Sequence, residues 1–388
     1  MSPWLVKLWR PLINRALVRQ QRMTSLEFQN VGPVQQAIDS GAGVLITANH
    51  SFHYDSYVMI EAAHRVGRPF HFLTAWQVFA MSKRFERWML QRHGCYSINR
   101  EGNDVQAFKR SVDILRAGRF PLVIFPEGDI YHNNDRVTPF RDGAAAIAMS
   151  AAKKGPRPVV IIPCALKSFY MQDPTKDLES LMARLEVALH WRPRPHLPLA
   201  ERIYKFAEGL LALKEIEYRG RPYRGSIISR SAGLADAVPQ PLEAEYGLSG
   251  NGAIIPERVK EVRRSVIKKL AQDALSADER RNLAHDLEDV FFVIQLFSYP
   301  GDYLNERPSI ERIAETLDKF EEDVLRADFP GIRGERNVVV RFGAPLEVPR
   351  ERDSRDAVAQ WTDLLEQKVQ GLLDEINAAH SKGVASQR

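Results

Sequence analysis

The chain has 388 residues, of which 44% are hydrophobic and 27% are charged. These fractions are typical of folded globular proteins and exclude a largely disordered chain. The formal net charge of +5 permits attraction to anionic surfaces, but it is too small to indicate a nucleic-acid partner without a recognisable nucleic-acid-binding motif.

Cysteine usage and hydropathy indicate the compartment. Cys95 and Cys164 both lie in strand-like apolar runs, which favours buried thiols in a reducing compartment over disulfides or a zinc site. The sequence contains no run of about 18 apolar residues that predicts a membrane-spanning helix. It also begins without the apolar core and cleavage site of a signal peptide. We therefore expect a cytoplasmic protein.

Residues 1–30 are predicted to form an N-terminal amphipathic helix. Its polar face carries Lys7, Arg10 and Asn14. The opposite, broad apolar face consists of Trp4, Leu5, Leu8, Trp9, Leu12 and Ala16. Tryptophans beside basic residues are typical of helices that lie in a membrane interface. Docking on the protein's own core explains the same pattern, so the sequence leaves both interpretations open until a function is considered.

Residues 31–172 alternate between short apolar runs and helical patterns. The predicted strands are Val44–Ala48, Pro69–Thr74, Cys95–Ile98, Pro121–Phe125 and Val159–Leu166. A helix is predicted after each of the first four, and the one over Gln77–Arg92 carries an apolar stripe of Phe79, Phe85, Trp88 and Met89 that we expect to be buried. This alternation predicts an α/β fold with a sheet covered by helices on both faces.

The remainder of the chain divides into three parts. Residues 173–335 have long, charged, helical patterns and are predicted to be a helical insertion. Residues 336–378 return to one strand and one helix, which we expect to rejoin the α/β domain. Residues 379–388 are predicted to be a disordered tail.

The first predicted strand delivers a histidine to its carboxyl end, where open α/β sheets place their ligands. Asp55 follows His50 by five positions, and a turn from strand to helix allows the carboxylate to fold back onto the imidazole. A carboxylate that orients the ring makes histidine a useful general base. The spacing is common by chance, and a histidine at a helix N-terminus explains it equally well.

Three later stretches strengthen the catalytic interpretation. They are Gly94 to Arg100 (GCYSINR), Phe125 to Gly128 (FPEG) and Val160 to Pro163 (VIIP). Together with Asn49 to Asp55 they resemble, in order and spacing, the glycerolipid acyltransferase family, which includes the bacterial lysophosphatidate acyltransferases. The resemblance covers roughly Gly41 to Leu166, with a further match at Val338 to Pro345. It implies a mixed, mostly parallel sheet flanked by helices, interrupted here by the helical insertion.

The resemblance also implies roles for individual residues. His50 removes the proton of an acceptor alcohol as it attacks an acyl thioester, and Asp55 orients the imidazole. Arg100 binds a phosphate on the acceptor, and Glu127 helps to form the acceptor pocket. Substrate-binding roles follow for the remaining motif residues, Pro126, Gly128 and Pro163. A surface ion pair for Arg100, a structural role for Glu127 and core packing for the strand before Pro163 are the alternatives.

Departures from the family pattern concern the acceptor. Asp129 and Ile130 replace the hydroxyl residue and arginine that usually follow the FPEG block, and Phe52 replaces a serine in the first block. Two expected phosphate contacts are therefore absent. Arg136, Arg141 or a basic residue of the insertion are candidates to compensate.

We therefore expect an O-acyltransferase that transfers a fatty acyl group to a lysophospholipid-like acceptor at a membrane surface. The co-substrate is acyl-CoA or acyl carrier protein, and no bound cofactor or metal is expected. Such an insoluble substrate favours the interfacial interpretation of the N-terminal helix and hence a peripheral membrane protein. A lipid-binding protein without turnover and a thioesterase that uses water as the acceptor are the alternatives.

Overall fold

The computed structural model describes residues 1–99, 104–250, 252–272, 275–299, 301–304, 308–351 and 354–385. The chain divides into two compact units. Unit 1 comprises the described residues up to Pro174 and from Ile332 onward, and unit 2 comprises those of Thr175–Gly331.

Unit 1 contains an eight-stranded sheet. Its strands are β1 (Met23–Gln29), β2 (Gly43–Ala48), β3 (His71–Ala75), β4 (Cys95–Ile98), β5 (Leu122–Ile124), β6 (Val159–Tyr170), β7 (Arg336–Phe342) and β8 (Leu346–Glu347). The spatial order is β1-β7-β6-β2-β5-β3-β4, and β8 pairs with β6. Strand β6 is antiparallel to β7 and β8, whereas the other pairs are parallel. The predicted α/β fold with a mixed, mostly parallel sheet is confirmed.

Helices of unit 1 cover both faces of this sheet. They are α1 (Pro3–Arg15), α2 (Val31–Asp39), α3 (Asp55–Val66), α4 (Trp76–Met81), α5 (Arg84–Arg92), α6 (Val105–Ala117), α7 (Gly143–Lys154) and α15 (Ala357–Ala385). Buried residues of α6, α7 and α15 belong to one hydrophobic cluster, and those of α1, α2 and α3 to another. The sheet lies between the two clusters, because side chains alternate between the faces of a strand.

Strand β2 is the central element that positions the loop carrying His50. All six of its residues are buried, and it lies between the parallel strands β5 and β6. A Cβ atom at Gly43 would lie 2.2 Å from the carbonyl oxygen of Leu115, so only glycine allows α6 to pack this closely against β2. Continuous apolar runs of this kind are expected for parallel strands that are buried on both faces.

Pro163 lies within β6 rather than at its end. Strand β6 continues to Tyr170, because Cys164–Tyr170 pairs with β7. On the same edge, β8 pairs with Val160 and Ile161, so the proline lies where one antiparallel partner replaces the other. A residue without an N–H group is tolerated at such a change of partner. The carbonyl oxygen of Pro163 accepts a hydrogen bond from the amide of Gly343 at 2.7 Å.

The N-terminal segment differs from the predicted single helix over residues 1–30. Helix α1 ends at Arg15, a π-helical turn follows at Ala16–Gln20, and Met23–Gln29 forms β1. Strand β1 is stabilised by parallel pairing with β7, a partner more than three hundred positions away that local sequence patterns do not reveal. Among the described residues, no helix is long and apolar enough to cross a membrane.

Helix α1 combines both interpretations of its apolar face. Leu5, Val6 and Ile13 are buried against the body of unit 1. Arg10, on the predicted polar face, is half exposed, and its guanidinium pairs with Glu61 of α3 at 3.2 Å. Further apolar side chains of the helix, Trp4, Leu8 and Leu12, are more than half exposed. One side of α1 therefore docks, and another presents apolar groups to solvent.

The predicted helix over Gln77–Arg92 is two helices, and its apolar stripe is only partly buried: Phe79 packs against the core, whereas Phe85 and Trp88 are exposed. Neither α4 nor α5 contains a buried residue. Phe85 is 58% exposed and Trp88 is 42% exposed, although their rings contact each other and Phe85 also contacts Trp9 of α1. The helical period identified an apolar face correctly, but period alone does not tell whether such a face meets a core or solvent.

The predicted disordered tail at residues 379–388 is helical from 379 to 385, and residues 386–388 lie outside the described residues. Helix α15 continues to Ala385. The ring of His380 stacks on Phe169 of β6 with centroids 3.8 Å apart, and Ser381 donates a hydrogen bond to the carbonyl of Asn377. The ring contact of His380 joins this end of the helix to the sheet, and the bond from Ser381 lies within the helix.

Unit 2 contains helices throughout its described length. They are α8 (Thr175–Ala188), α9 (Leu199–Arg219), α10 (Ile227–Ala237), α11 (Pro239–Glu245), α12 (Ile255–Leu270), α13 (Ala277–Ser298) and α14 (Ile310–Leu325). Apolar residues of α9 to α13 form its hydrophobic cluster. A buried ion pair joins α8 to α9, where Arg202 donates to both carboxylate oxygens of Glu186 at 3.1 and 2.6 Å.

We predict that Arg202→Met destabilises the protein by about 3 to 5 kcal/mol, because the buried carboxylate of Glu186 then loses its cation. Lys205→Met on the same helix is the matched control, since the Lys205–Glu201 pair is nearly half exposed and such pairs contribute about 0 to 1 kcal/mol. The measurement is urea unfolding followed by circular dichroism. Equal losses for both variants would contradict the prediction, and Arg202→Met/Glu186→Leu should recover most of the stability.

Candidate active site

His50 and Asp55 form a hydrogen-bonded pair at the carboxyl end of β2. The Nδ1 atom of His50 lies 3.0 Å from Oδ2 of Asp55, which is the first residue of α3. The same carboxylate oxygen accepts backbone hydrogen bonds from Ser51 at 2.7 Å and Phe52 at 2.9 Å. An ionised carboxylate only accepts, so it favours the tautomer with the proton on Nδ1. The Nε2 atom is then the available proton acceptor.

The environments of these two side chains differ in a way that suits a base and its orienting group. The side chain of Asp55 is 4% exposed, whereas that of His50 is 18% exposed. The imidazole stacks on the ring of Phe125 at a centroid distance of 4.2 Å. The ring is therefore fixed on one face and at one nitrogen while part of it stays accessible to a reactant.

Glu127 lies in the loop after β5 and connects it to the loop after β2. Its Oε1 atom accepts a hydrogen bond from the backbone amide of His50 at 2.6 Å. Its Oε2 atom accepts from the backbone amide of Thr138 at 2.9 Å and from the hydroxyl of the same residue. These contacts join Glu127 to the backbone of His50 and to Thr138, so the carboxyl group connects the two loops.

Burial changes the protonation of Glu127. The residue is 3% exposed, and desolvation raises the pKa of its carboxyl group from 4.5 to about 7, against the opposing effect of its hydrogen bonds. The negative charge of Asp55 raises this pKa slightly further. Glu127 therefore titrates near neutral pH, at a position that holds the backbone of the histidine.

Asn49, immediately before the histidine, fixes the end of β2. Its side-chain oxygen accepts from the amide of Leu166 at 2.7 Å, and its Nδ2 donates to the carbonyl of the same residue at 2.9 Å. The side-chain amide of Asn49 thus makes the two hydrogen bonds to Leu166 of β6 that a backbone peptide group of a longer β2 would make. Ser51 continues this network by donating its hydroxyl proton to the carbonyl of Asn133.

Gly128, in the loop after β5, packs against the side chain of Arg141. Gly128 has a φ angle of +78°, which glycine adopts without strain. A Cβ atom there would lie 2.5 Å from Nε of Arg141, so the guanidinium packs directly against the glycine backbone. The amide of Arg141 donates to the carbonyl of Pro126, and the Nε atom is buried without a hydrogen-bond partner in the described part of the chain.

Helix α15 stabilises this loop from the C-terminal part of unit 1. The side chain of Gln370 accepts a hydrogen bond from the amide of Val137 and donates one to the carbonyl of Asp135. The carboxylate of Glu366 accepts from the amide of Phe140 at 2.8 Å. These three backbone groups lie in the long irregular segment between β5 and α7, which has no strand pairing to satisfy them, so α15 supplies their hydrogen-bond partners.

The structure brings five of the seven predicted site residues into these two loops: His50, Asp55, Pro126, Glu127 and Gly128. Pro163 lies within the sheet, where its described contacts are those of strand packing. Arg100 lies outside the described residues, so its predicted role stays a prediction. Asn49, Phe125 and Thr138 contribute to the site and were not predicted. Asn49 and Phe125 lie inside the two motifs, whereas Thr138 lies in an irregular loop with no signal of its own.

Comparison with known families agrees with this geometry. Residues 26–167 match the model of the family described as Acyltransferase, and the segment contains all the motif residues described above. The resemblance noted in the sequence is confirmed over this range, and the segment is an acyltransferase domain. No curated protein matches the chain.

The raised pKa of Glu127 predicts a specific pH dependence of stability. A carboxyl group whose pKa is higher in the folded state stabilises the fold at pH values below its unfolded pKa and loses this contribution as the pH rises through its folded pKa. Between pH 5 and pH 8, wild-type protein should lose about 2 to 3 kcal/mol more of its free energy of unfolding than Glu127→Gln, which does not titrate. Urea unfolding at both pH values measures this difference. Parallel pH profiles for the two proteins would contradict the assigned pKa.

Proposed function

We propose that this chain, whose residues 26–167 are an acyltransferase domain, is an O-acyltransferase that moves a fatty acyl group from a thioester to the hydroxyl of a lysophospholipid-like acceptor. The observation that carries the proposal is the pair of His50 and Asp55 at the carboxyl end of the central strand, with Nδ1 bound and Nε2 available. The family match supports acyl transfer as the general activity. The thioester donor, the acceptor and the role of His50 as base are the proposed parts.

In the proposed reaction, Nε2 of His50 removes the hydroxyl proton of the acceptor as its oxygen attacks the thioester carbonyl. The new carbon–oxygen bond forms, the carbon–sulfur bond breaks, and the thiolate leaves with the bonding electron pair. The imidazolium then returns the proton to the thiolate, so the base is regenerated. Asp55 stabilises the transient imidazolium through Nδ1. A thioester is reactive enough that this direct transfer needs no covalent enzyme intermediate.

An anionic acceptor needs a cation in the site, and we propose Arg141 for this role together with Arg100. Arg141 lies against Gly128, within the loop that also holds Glu127. It thus supplies a guanidinium near the position from which the family's usual arginine is missing. Guanidinium groups bind phosphate through parallel hydrogen bonds, and the Nε atom of Arg141 has no hydrogen-bond partner among the described residues.

The donor in this proposal is acyl-CoA or acyl-carrier-protein thioester, with no bound cofactor. Both donors present the same thioester to the base, so the geometry around His50 fits either. An assay with each donor distinguishes them.

Membrane association is the remaining part of the proposal and is supported by the exposed apolar residues of α1, α4 and α5. The largest are Trp4, Leu8, Leu12, Met81, Phe85 and Trp88. Basic side chains flank them and are exposed as well: Lys7, Arg15, Arg19, Lys83, Arg84 and Arg87. The contact between Trp9 and Phe85 joins α1 to α5. Apolar side chains with surrounding cations suit the surface of an anionic bilayer, where a peripheral cytoplasmic enzyme meets its insoluble acceptor.

We predict that His50→Ala lowers the rate of acyl transfer by at least about 100-fold, which is the lower range for loss of a general base. The measurement is thiol release together with mass spectrometry of the acylated lipid, using acyl-CoA and a lysophosphatidate. His285→Ala, an exposed histidine on α13, is the control and should keep full activity.

The same assay separates the alternatives. Thiol release without an acylated lipid would replace the proposal with a thioesterase. No thiol release by wild-type protein with either donor would favour lipid binding without turnover. A folded His50→Ala variant with undiminished transfer would contradict the assigned base.

We also predict that Trp4→Ser/Leu8→Ser weakens binding to vesicles of phosphatidylglycerol and phosphatidylcholine by at least about tenfold. Two large apolar side chains then lose their burial, each worth about 1.5 to 3 kcal/mol. Co-sedimentation measures the bound fraction. Leu213→Ser/Phe291→Ser is the control, because these side chains are equally exposed on helices of unit 2. Equal loss in both variants, or binding unaffected by removing the anionic lipid, would contradict the proposed surface.

A further inference from the structure

Unit 2 contains a partly open apolar hollow of its own, with a volume of about 200 Å³. Four helices, α9, α10, α13 and α14, supply its walls together with the segment that contains Tyr303 and Leu304. The volume exceeds the roughly 150 Å³ of an engineered apolar cavity that is large enough to bind benzene. The hollow is partly open, so a ligand can enter it from solvent. Covering its apolar wall removes that wall from water, which favours the binding of an apolar group.

The lining identifies the chemistry of that ligand. Most of the wall consists of aliphatic and aromatic side chains, such as Ile203, Leu210, Leu211, Phe292, Leu296 and Phe320. Several polar groups in the wall already have partners. Asp323 accepts from Tyr299 and Gln295 at 2.6 Å each, and Lys319 donates to the carbonyl of Ser298. Such a wall has few directional groups with which to recognise a polar metabolite. It suits a hydrocarbon chain.

The wall of the hollow also includes a partly exposed lysine. Lys214 lines the hollow, its side chain is 40% exposed, and its Nζ atom lies 5.0 Å from the centroid of the Phe292 ring. The lysine also pairs with Glu217 at 2.8 Å, and the side chain of Glu217 is 55% exposed, so solvent weakens this pair. A carboxylate or thioester head at this end would meet a positive charge while its chain lies among the apolar side chains.

We propose that unit 2 is a binding site for one single-chain fatty acid or fatty acyl group, with its head at Lys214 and its chain in the hollow. The proposal goes beyond the acyl transfer assigned to unit 1 and does not depend on it. The helical insertion is then a lipid-binding module rather than a spacer.

The experiment uses the full chain and cis-parinaric acid, whose fluorescence rises in an apolar environment. Wild-type protein should bind the probe, and saturated fatty acids should displace it. The affinity of the competing fatty acid should rise about fourfold with each added methylene until the hollow is filled, because burial of one methylene contributes about 0.8 kcal/mol. Dodecanol, which has no negative charge, should displace the probe less well than laurate.

Filling the hollow tests its position. Ala207→Trp places an indole where Ala207 lines the wall and should weaken binding at least tenfold. Leu213→Trp, an exposed position on the same helix that does not line the hollow, should stay within about twofold of wild type. If Ala207→Trp fails to fold by circular dichroism, Ser231→Phe on α10 fills the hollow from another wall and decides the question.

The remaining variants separate this proposal from the proposed catalysis. Lys214→Met should lower the preference for laurate over dodecanol several-fold, and Lys205→Met should not change it. His50→Ala should bind the probe as wild type does, even if it loses all acyl transfer. The proposal is overturned if wild-type protein does not bind the probe, or if folded Ala207→Trp and Ser231→Phe both bind it unchanged.

Discussion

The hydrogen bond from the backbone amide of His50 to the buried carboxylate of Glu127 is the interaction on which the candidate site depends. It joins the loops that leave two adjacent parallel strands, β2 and β5, at the same edge of the sheet. Two further hydrogen bonds to Thr138 hold the carboxylate from the other side. The position of the imidazole is thus determined by a backbone contact, while Asp55 determines the orientation of its ring. Glu127 therefore positions the backbone of the histidine, and Asp55 orients its side chain.

The placement of unit 2 in the chain follows from the architecture of unit 1. Strands β6 and β7 are antiparallel neighbours, and the amide of Met171 still bonds to the carbonyl of Glu335 beyond their ends. Unit 2 therefore leaves and re-enters the sheet at adjacent points, as the turn of a hairpin does. A long insertion at such a position costs little loop-closure entropy. It leaves β7 and α15 available to complete the sheet and to stabilise the loop around Glu127.

The parts of the fold that the sequence predicted are those with strong local signals. The buried runs at β2, β5 and β6 and the motif residues around His50 and Glu127 needed no knowledge of distant partners. Strand β1 was missed because its half-polar sequence is held by β7, from the opposite end of the chain. Phe85 and Trp88 were assigned to the core because amphipathic spacing shows that a face is apolar, not what it faces. Thr138 acts from an irregular loop, where no periodicity marks it.

Helix α3 connects the chemistry to the surface by a single rigid element. It begins with Asp55, and about 1.7 turns later Glu61 accepts a hydrogen bond from Arg10 of α1. Six residues of helix span about 9 Å, so the ion pair lies roughly one nanometre from the carboxylate that orients the base. Under the proposed membrane association, α3 would fix the distance between the base and the lipid surface on which α1 lies. An acceptor could then present its hydroxyl group to the base with its own hydrocarbon still among its neighbours.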